Sequence, residues 1–487
     1  MLSVEQAIWK FAEECPDKVA VKSGKESVTY KNLVYGILSA KDKFQSLPGY
    51  KVGSTIILAA NKQIEFLYAY FGAHLSGLVV APIDIETNPS RLRHIIETVN
   101  PFCVIGFNKI DICLTKVSLT EFIPNAGFVP VVYDTLPNAD NTKADIMFTT
   151  GTTGVPKGVS LSYENEAAAA RNINEYIRNR TEDIELIALP ISHSFGLGRL
   201  RCCLYNGQTV ILLGSFVNVK RLFRTIEDES VTGFSMVPSA WRYIKKMSGD
   251  RLSEYGNKLK YIEIGSAYLS VDEKRQLADL FPDTRVVMHY GLTEASRSTF
   301  MEFHEDGNFL DSVGKSSPYT DVQIFDERGE KLGIGELGEI CIKGDHVTDG
   351  YIRISNRESF YGDFFRTGDL GIKDVHGYIY LKSRIKEIIN VGGKKVAPGE
   401  VEECILQMKG IADCACIGVR DPECVLGEVV KAYVVREPDS IIQFDDVRKF
   451  LYGKIESYKM PVFFEWINAI PRTYNGKIQR NLLQDIQ

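Results

Sequence analysis

The residues with the clearest chemical promise lie in Asp145-Ile-Met-Phe-Thr-Thr-Gly-Thr-Thr-Gly-Val-Pro-Lys-Gly-Val-Ser160, where four threonines and three glycines surround Lys157. Glycines let backbone N–H groups approach phosphate oxygens, threonine hydroxyls add donors, and the lysine brings a positive charge. A Walker A loop requires G-x-x-x-x-G-K-[ST]. Here Pro156 replaces the second glycine and Gly158 the Ser or Thr, so the stretch reads as a phosphate loop of another kind. The local pattern predicts an apolar strand ending at Phe148, a loop carrying Lys157, and a helix after Ser162, a good N-cap with Glu164 in the first turn. Gly291-Leu-Thr-Glu294 by itself reads as a helix N-cap, and Asn475-Gly476 as a tight type I′ turn with an exposed lysine after it.

The elements that must hold these residues follow from hydrophobic periodicity. Ser54–Ala60, Leu78–Pro82 and Phe102–Gly106 read as strands, with helices over Gln63–Ser76 and from Pro89 between them. That alternation predicts an α/β fold: a large N-terminal domain of βαβ units around largely parallel sheets. Beyond Asp311 short strands (Val322–Phe325, Gly338–Lys343, Tyr378–Leu381) form a small β-rich section. The remainder alternates a strand at Glu387–Val391, a helix from Pro398, strands at Ala412–Val419 and Val429–Val435 and a helix near Phe444–Ile455. It reads as a small α+β domain. The expected division is 1–382 and 383–487.

Composition narrows the classes. With 487 residues, 44% hydrophobic and a formal net charge of −6, the chain has ample core and no basic run suited to nucleic acid. The ten cysteines form no C-x-x-C pair, and the N-terminus lacks a signal-peptide pattern. Leu67–Ile83 is too short and too interrupted to span a bilayer. A cytoplasmic protein without a transmembrane segment is expected.

The Thr-Thr-Gly-Thr-Thr-Gly-Val-Pro-Lys-Gly stretch resembles the phosphate loop of the adenylate-forming superfamily: acyl- and aryl-CoA synthetases, carrier-protein adenylation domains and firefly luciferase. Seven further motifs fall in the family's order. They are Leu189-Pro-Ile-Ser-His-Ser-Phe-Gly196, Met288-His-Tyr-Gly-Leu-Thr-Glu294, Gly335-Glu-Leu-Gly-Glu339, Arg366-Thr-Gly-Asp369, Ser383-Arg-Ile-Lys386, Val391-Gly-Gly393 and Pro471-Arg-Thr-Tyr-Asn-Gly-Lys477.

The resemblance implies an ATP-dependent, AMP-forming acid–thiol ligase. Thr149, Thr150, Gly151, Thr152, Thr153 and Lys157 would hold the β- and γ-phosphates, Thr293 would donate to the α-phosphate and Glu294 would bind Mg²⁺. Tyr290 would stack on adenine beside His289 and Gly291, with Gly265, Ser266 and Ala267 closing the other side. Asp369 and Arg384 would hold the ribose, and Lys477 would bridge the acid carboxylate and the α-phosphate. Ser383 would be the hinge, where the family commonly has Asp or Lys, and Gly392 and Gly393 would form the thiol tunnel.

The acyl pocket would come from His193, Phe195, Val237, Ser239, Ala267 and Gly291, mostly apolar or small, which suits a fatty, short aliphatic or aromatic acid. At Phe195-Gly196 the chain lacks the aspartate that pairs with an amino-acid ammonium in amino-acid-activating relatives. The acceptor would be coenzyme A or, alternatively, a carrier-protein phosphopantetheine. A non-enzymatic family member that merely binds nucleotide or acyl ligand is a competing reading, as is an ADP-forming reaction from the phosphate loop alone.

Overall fold

The computed structural model describes residues 1–107, 114–125, 136–149, 156–473 and 476–484. The chain forms two compact units, one of residues 1–322 and 342–365, the other of 323–341 and 366–487. This division differs from a break at residue 382: the segments 323–341 and 366–382 group with the C-terminal residues.

The first unit is α/β, as the βαβ alternation predicts. One sheet has nine strands, ordered Lys315–Ser316, Thr299–Glu302, Arg285–Tyr290, Tyr261–Ile264, Gly233–Met236, Ile184–Ile187, Thr209–Leu212, Val19–Ser23 and Glu26–Thr29. From Arg285–Tyr290 to Val19–Ser23 all neighbours are parallel. A second sheet has seven strands, ordered Gly350–Tyr351, Lys157–Ser162, Lys143–Thr149, Val79–Asp84, Thr55–Ala60, Cys103–Ile105 and Thr115–Val117. Its core strands are apolar on both faces, as parallel strands covered by helices must be. The helix Ile64–Leu75 is buried along its whole length. That burial is why its sequence shows little amphipathic contrast.

The strand Lys143–Thr149 is anchored by a buried charge cluster. Asp145 accepts from Tyr70 Oη (2.9 Å), lies 3.2 Å from His74 Nε2 and pairs with Arg201, which also meets Glu166 at 2.9 Å. His74 Nδ1 contacts Glu5 at 2.7 Å. Burial opposes protonation of His74, but Asp145 and Glu5 outweigh it and raise its pKa to about 10.

The local prediction fails after Phe148. Lys157–Ser162 is a strand, antiparallel to Lys143–Thr149 with Thr149 opposite Lys157, and only then does the helix Tyr163–Ile177 begin. Ser162 does cap that helix, in a capping box with Asn165. Thr149 and Lys157 thus face each other at the end of this antiparallel pair, while Thr150, Gly151, Thr152 and Thr153 lie outside the described residues.

A further sheet runs Asp321–Phe325, Gly338–Lys343, Phe364–Lys373, with Ile379–Arg384 paired to Phe364–Lys373. A three-stranded sheet (Ile411–Arg420, Glu428–Arg436, Phe463–Trp466) packs with the helices Pro398–Leu406 and Phe444–Leu451 around Val401, Ile405, Val434 and Leu451. Among the described residues no helix is long and apolar enough to cross a membrane, and nine cysteines are free thiols.

Candidate active site

The parallel strands of the nine-stranded sheet end side by side and deliver the site residues from the loops beyond their carboxyl ends, where ligands bind in open α/β sheets. Ile184–Ile187 leads to His193, Gly233–Met236 to Val237, Tyr261–Ile264 to Gly265, and Arg285–Tyr290 ends at Tyr290. His193 is the N-cap of the helix Ser194–Tyr205, and Val237 caps Pro238–Ser248 with proline at its first position. Ser239, on that helix, is exposed, while Phe195 is buried.

His289 stands edge-on to Phe195, with ring centroids 4.7 Å apart. A Cβ added to Gly265 would sit 2.1 Å from His289 Cε1, so only glycine lets this loop close on the imidazole. The next residue, Ser266, has a left-handed φ of 72°. Ser194 and Thr293 hydroxyls lie 3.2 Å apart. Gly291-Leu-Thr-Glu294 starts no helix; it forms an extended turn toward the strand Thr299–Glu302, which pairs back on Arg285–Tyr290.

Glu294 is buried, and its Oε1 accepts from Tyr351 Oη at 2.7 Å. Lys157 Nζ lies 5.0 Å from the centroid of the same tyrosine ring. Lys157, Tyr351, Glu294 and Thr293 thus form one continuous set, reaching through Ser194 and Phe195 to His289.

Behind Phe195 the wall is charged. Glu263, fully buried, lies 3.0 Å from Arg297 Nε, 2.8 Å from His289 Nδ1 and 3.6 Å from Arg199 Nε, and accepts from Ser235 Oγ at 2.7 Å. Arg297 also donates to the Phe195 carbonyl (3.0 Å) and covers the Phe195 ring. Arg199 is held by both oxygens of Glu185, at 3.2 and 2.7 Å. Burial alone would raise the Glu263 carboxyl, but Arg297, His289 and Arg199 hold it well below the usual carboxylate range. Burial lowers His289 below its ordinary value against the pull of Glu263. The expectation of a mostly apolar pocket omitted this wall.

In the second unit Asp369 is buried and its Oδ1 meets Arg384 Nε at 3.0 Å across the pair Phe364–Lys373 and Ile379–Arg384. The adjoining turn is fixed by Glu339, which accepts from the Gly368 N–H (3.0 Å) and from Arg366 Nε (3.0 Å). Ser383 lies inside the strand Ile379–Arg384, next to a register shift that leaves Lys382 without an opposite residue. Gly392 and Gly393, at φ 57° and 83°, are the two-residue turn joining Ile389–Val391 to Lys394–Val396. Positive φ at both positions is the requirement of a type I′ turn. A Cβ on Gly393 would meet open space.

Lys477 is exposed beside a bridge between Arg472 and Ile478; its N–H donates to Thr473 Oγ1 at 3.1 Å, and Gly476 has φ 83°. Asn475 of the expected turn lies outside the described residues.

Loops that bring a buried carboxylate and an imidazole to the carboxyl ends of parallel strands place the chain among α/β enzymes with a ligand site at the sheet edge. The chain belongs to the AMP-binding enzyme family, whose model matches residues 8–352, while the model of the AMP-binding enzyme C-terminal domain matches 400–477. It is 29% identical over 485 residues to a 2-succinylbenzoate–CoA ligase of Bacillus licheniformis, covering 97% of this chain and 98% of that one. It is 27% identical over 519 residues to a 3-[(3aS,4S,7aS)-7a-methyl-1,5-dioxo-octahydro-1H-inden-4-yl]propanoyl:CoA ligase of Rhodococcus jostii, with 98% of each covered. Among solved structures, ATP-bound MatB from Rhodopseudomonas palustris superposes with a TM-score of 0.88 at 26% identity over 99% of both chains.

Proposed function

We propose that the chain is an AMP-forming acid–CoA ligase: it joins a non-amino carboxylic acid to ATP, giving an acyl-adenylate and pyrophosphate, and passes the acyl group to coenzyme A, giving a thioester, AMP and a proton. The observation that carries this reading is the match of both family models along the chain, together with CoA ligases that align over nearly its full length. Those relatives are named for coenzyme A, which makes it the acceptor proposed here in preference to a carrier protein. The fixed pairing of the buried Glu263 with Arg297 supports a non-amino acid, because it leaves that carboxylate committed and not available to a substrate ammonium.

The acid is already ionised at neutral pH, so no general base is required. The chemical problem is to hold two anions together and to stabilise charge growing on the α-phosphorus, a matter of positioning and electrostatics. Lys157, with Thr149, Thr150, Gly151, Thr152 and Thr153, is assigned to the β- and γ-phosphates. Thr293 is assigned to the α-phosphate, Tyr290 to stacking on adenine, and His289 with Gly265–Ala267 to its edge. Asp369 and Arg384 are assigned to the ribose hydroxyls: a carboxylate suits paired donors, and the Arg384 contact fixes its orientation.

Mg²⁺ is held by one or two carboxylates plus substrate phosphates more often than by an all-protein cage. Among the described residues no cluster of three acidic, His or Cys ligands exists, and the single buried carboxylate of Glu294 fits that mode. When bound, the ion neutralises phosphate charge. Glu294 contributes an oriented anionic ligand, fixed by Tyr351.

Lys477 is assigned the ammonium that contacts both the acid carboxylate and the α-phosphate. The thioester step is assigned to the Gly392-Gly393 turn, and Ser383 to the hinge; the neighbouring bulge at Lys382 supports it, since only backbone dihedrals must change there. His193, Phe195, Val237 and Ser239 are assigned to the acyl group. A domain boundary at 382/383 belongs to this functional proposal, as does a cytoplasmic location, which the free, largely buried thiols support.

The test is a screen of carboxylic acids graded in length and aromaticity, with ATP, Mg²⁺ and CoA, following AMP and pyrophosphate. AMP with acyl-CoA from at least one acid is the expected result. ADP as product, or no turnover with any acid, overturns the reading.

A further inference from the structure

The short segment Val347–Tyr351 touches both Glu294 and the strand that begins with Lys157, although it lies outside the motifs that carry the family resemblance. At one end it is tied to Glu294. The Thr348 N–H donates to the Glu294 carbonyl at 2.8 Å, Ala295 and Val347 form an antiparallel bridge, and Tyr351 Oη reaches the Glu294 carboxylate at 2.7 Å. At the other end it is tied to the strand that begins with Lys157. Gly350 pairs with Ser160 and Tyr351 with Val159, Thr348 Oγ1 donates to the Ser160 carbonyl, and the Ile352 N–H donates to the Gly158 carbonyl at 2.9 Å. Tyr351 itself is held from outside: Asn356 Oδ1 accepts from its N–H at 2.9 Å, and Asn356 Nδ2 donates to its carbonyl at 3.3 Å. Its ring is therefore set with the hydroxyl on a carboxylate and one face under the Lys157 ammonium.

We propose that Tyr351 is a positioning residue that couples Lys157 to Glu294, so that phosphate binding at the lysine and Mg²⁺ binding at the carboxylate reinforce each other. The inference rests on the assignment of these two residues to Mg·ATP. Three physical elements support it. The hydroxyl occupies one lone-pair direction of Oε1 and orients the remaining oxygen positions for a metal. The ring face stabilises the ammonium through its quadrupole without neutralising it, leaving the full positive charge for phosphate. The strap transmits displacement because it is hydrogen-bonded to both partners and not merely adjacent to them. Two anion-binding and cation-binding groups that share one rigid side chain have a coupling free energy, which by linkage appears equally in either affinity.

The experiment measures equilibrium binding of ATP by calorimetry, without acid or CoA so that nothing turns over, at zero and saturating Mg²⁺. Variants are Tyr351→Phe, Tyr351→Leu, Glu294→Gln and the Tyr351→Phe/Glu294→Gln pair, each checked for an unchanged melting profile. Tyr351→Phe keeps the ring and loses the hydroxyl. It is expected to leave Mg²⁺-free ATP affinity within twofold and to cut the gain from Mg²⁺ by about tenfold, the worth of one hydrogen bond to a charged group. Tyr351→Leu should lose affinity in both conditions. On the Glu294→Gln background, Tyr351→Phe should have little further effect. An Mg²⁺-dependent gain in Tyr351→Phe equal to that of the natural chain overturns the role of Tyr351 and leaves the ligase reading standing. Absence of any ATP binding by the natural chain overturns both.

Discussion

Replacing Glu263 with glutamine is the sharpest probe of the wall behind the candidate acyl site. The side chain is fully buried and serves Arg297 (3.0 Å), His289 (2.8 Å) and Ser235 (2.7 Å), with Arg199 at 3.6 Å. Two carboxylates, Glu185 and Glu263, balance two guanidinium groups there. Glutamine preserves the shape but leaves one buried positive charge uncompensated. Breaking a buried pair in this way costs about 3–5 kcal/mol. The lower end applies, because Arg199 keeps both contacts to Glu185 and Arg297 keeps the Phe195 carbonyl. The expected loss is about 3 kcal/mol, read as a lowered urea midpoint of the transition that reports the first unit. The same variant should weaken ATP binding, since the His289 ring loses its anchor. A second variant, Glu263→Gln/Arg297→Met, removes the orphaned charge and should recover more than half of the lost stability. A Glu263→Gln protein within about 0.5 kcal/mol of the natural chain, the ordinary range for substitutions without such features, would refute the charge-balance argument. So would a double variant as unstable as the sum of the singles.

The other predictions concern separate parts of the molecule. Lys477→Ala should slow adenylation by roughly 10²–10³-fold, the worth of a positioned charge donor, while still converting supplied acyl-adenylate to thioester; equal loss of both half-reactions removes Lys477 from its assigned role. Gly393→Val should impair thioester formation more than pyrophosphate release, because φ at 83° excludes a β-branched residue from the turn; single-turnover measurements of each half-reaction check this. His74 has its folded pKa raised to about 10 from an ordinary value near 6.5. Its contribution to stability is therefore full below pH 6.5 and is lost as pH rises toward 10. The stability difference between the natural chain and His74→Gln should shrink across that window in urea titrations at pH 6, 8 and 9.5, and a difference independent of pH would sink the assignment.

Much of this architecture was legible in the residues. Thr55–Ala60, Ile64–Leu75 and Val79–Asp84 are predominantly apolar runs, and Gly338–Lys343 matches its expected bounds. The strand Lys157–Ser162 was not, because Ser162 is such a good N-cap that the alternating Val159 and Leu161 before it were absorbed into the loop. Glu263 offered a usable signal: a lone carboxylate in Tyr-Ile-Glu-Ile264 must point into a buried sheet face and demands a partner. Its partners Arg297, Arg199 and His289 come from three other elements, and no spacing in one chain pairs them. Tyr351 carried no signal, since its role exists only through the pairing of Gly350–Tyr351 with a strand nearly two hundred residues earlier. The grouping of 323–341 with the C-terminal residues is likewise a tertiary fact: those residues pair in a sheet that the later chain completes.

The free thiols give the molecule a set of internal clocks. Cys424 is exposed and available to an alkylating reagent at once, whereas Cys202 and Cys103 are buried, their thiols pushed up to about 11 and 12. Such sulfurs react only when their surroundings open, at a rate set by how often that part of the structure unfolds. Cys414 and Cys416 lie in the second unit and Cys202 and Cys203 in the first, so their labelling reports on each unit in turn. A mass spectrum taken during slow labelling would rank the opening of each unit without any added probe.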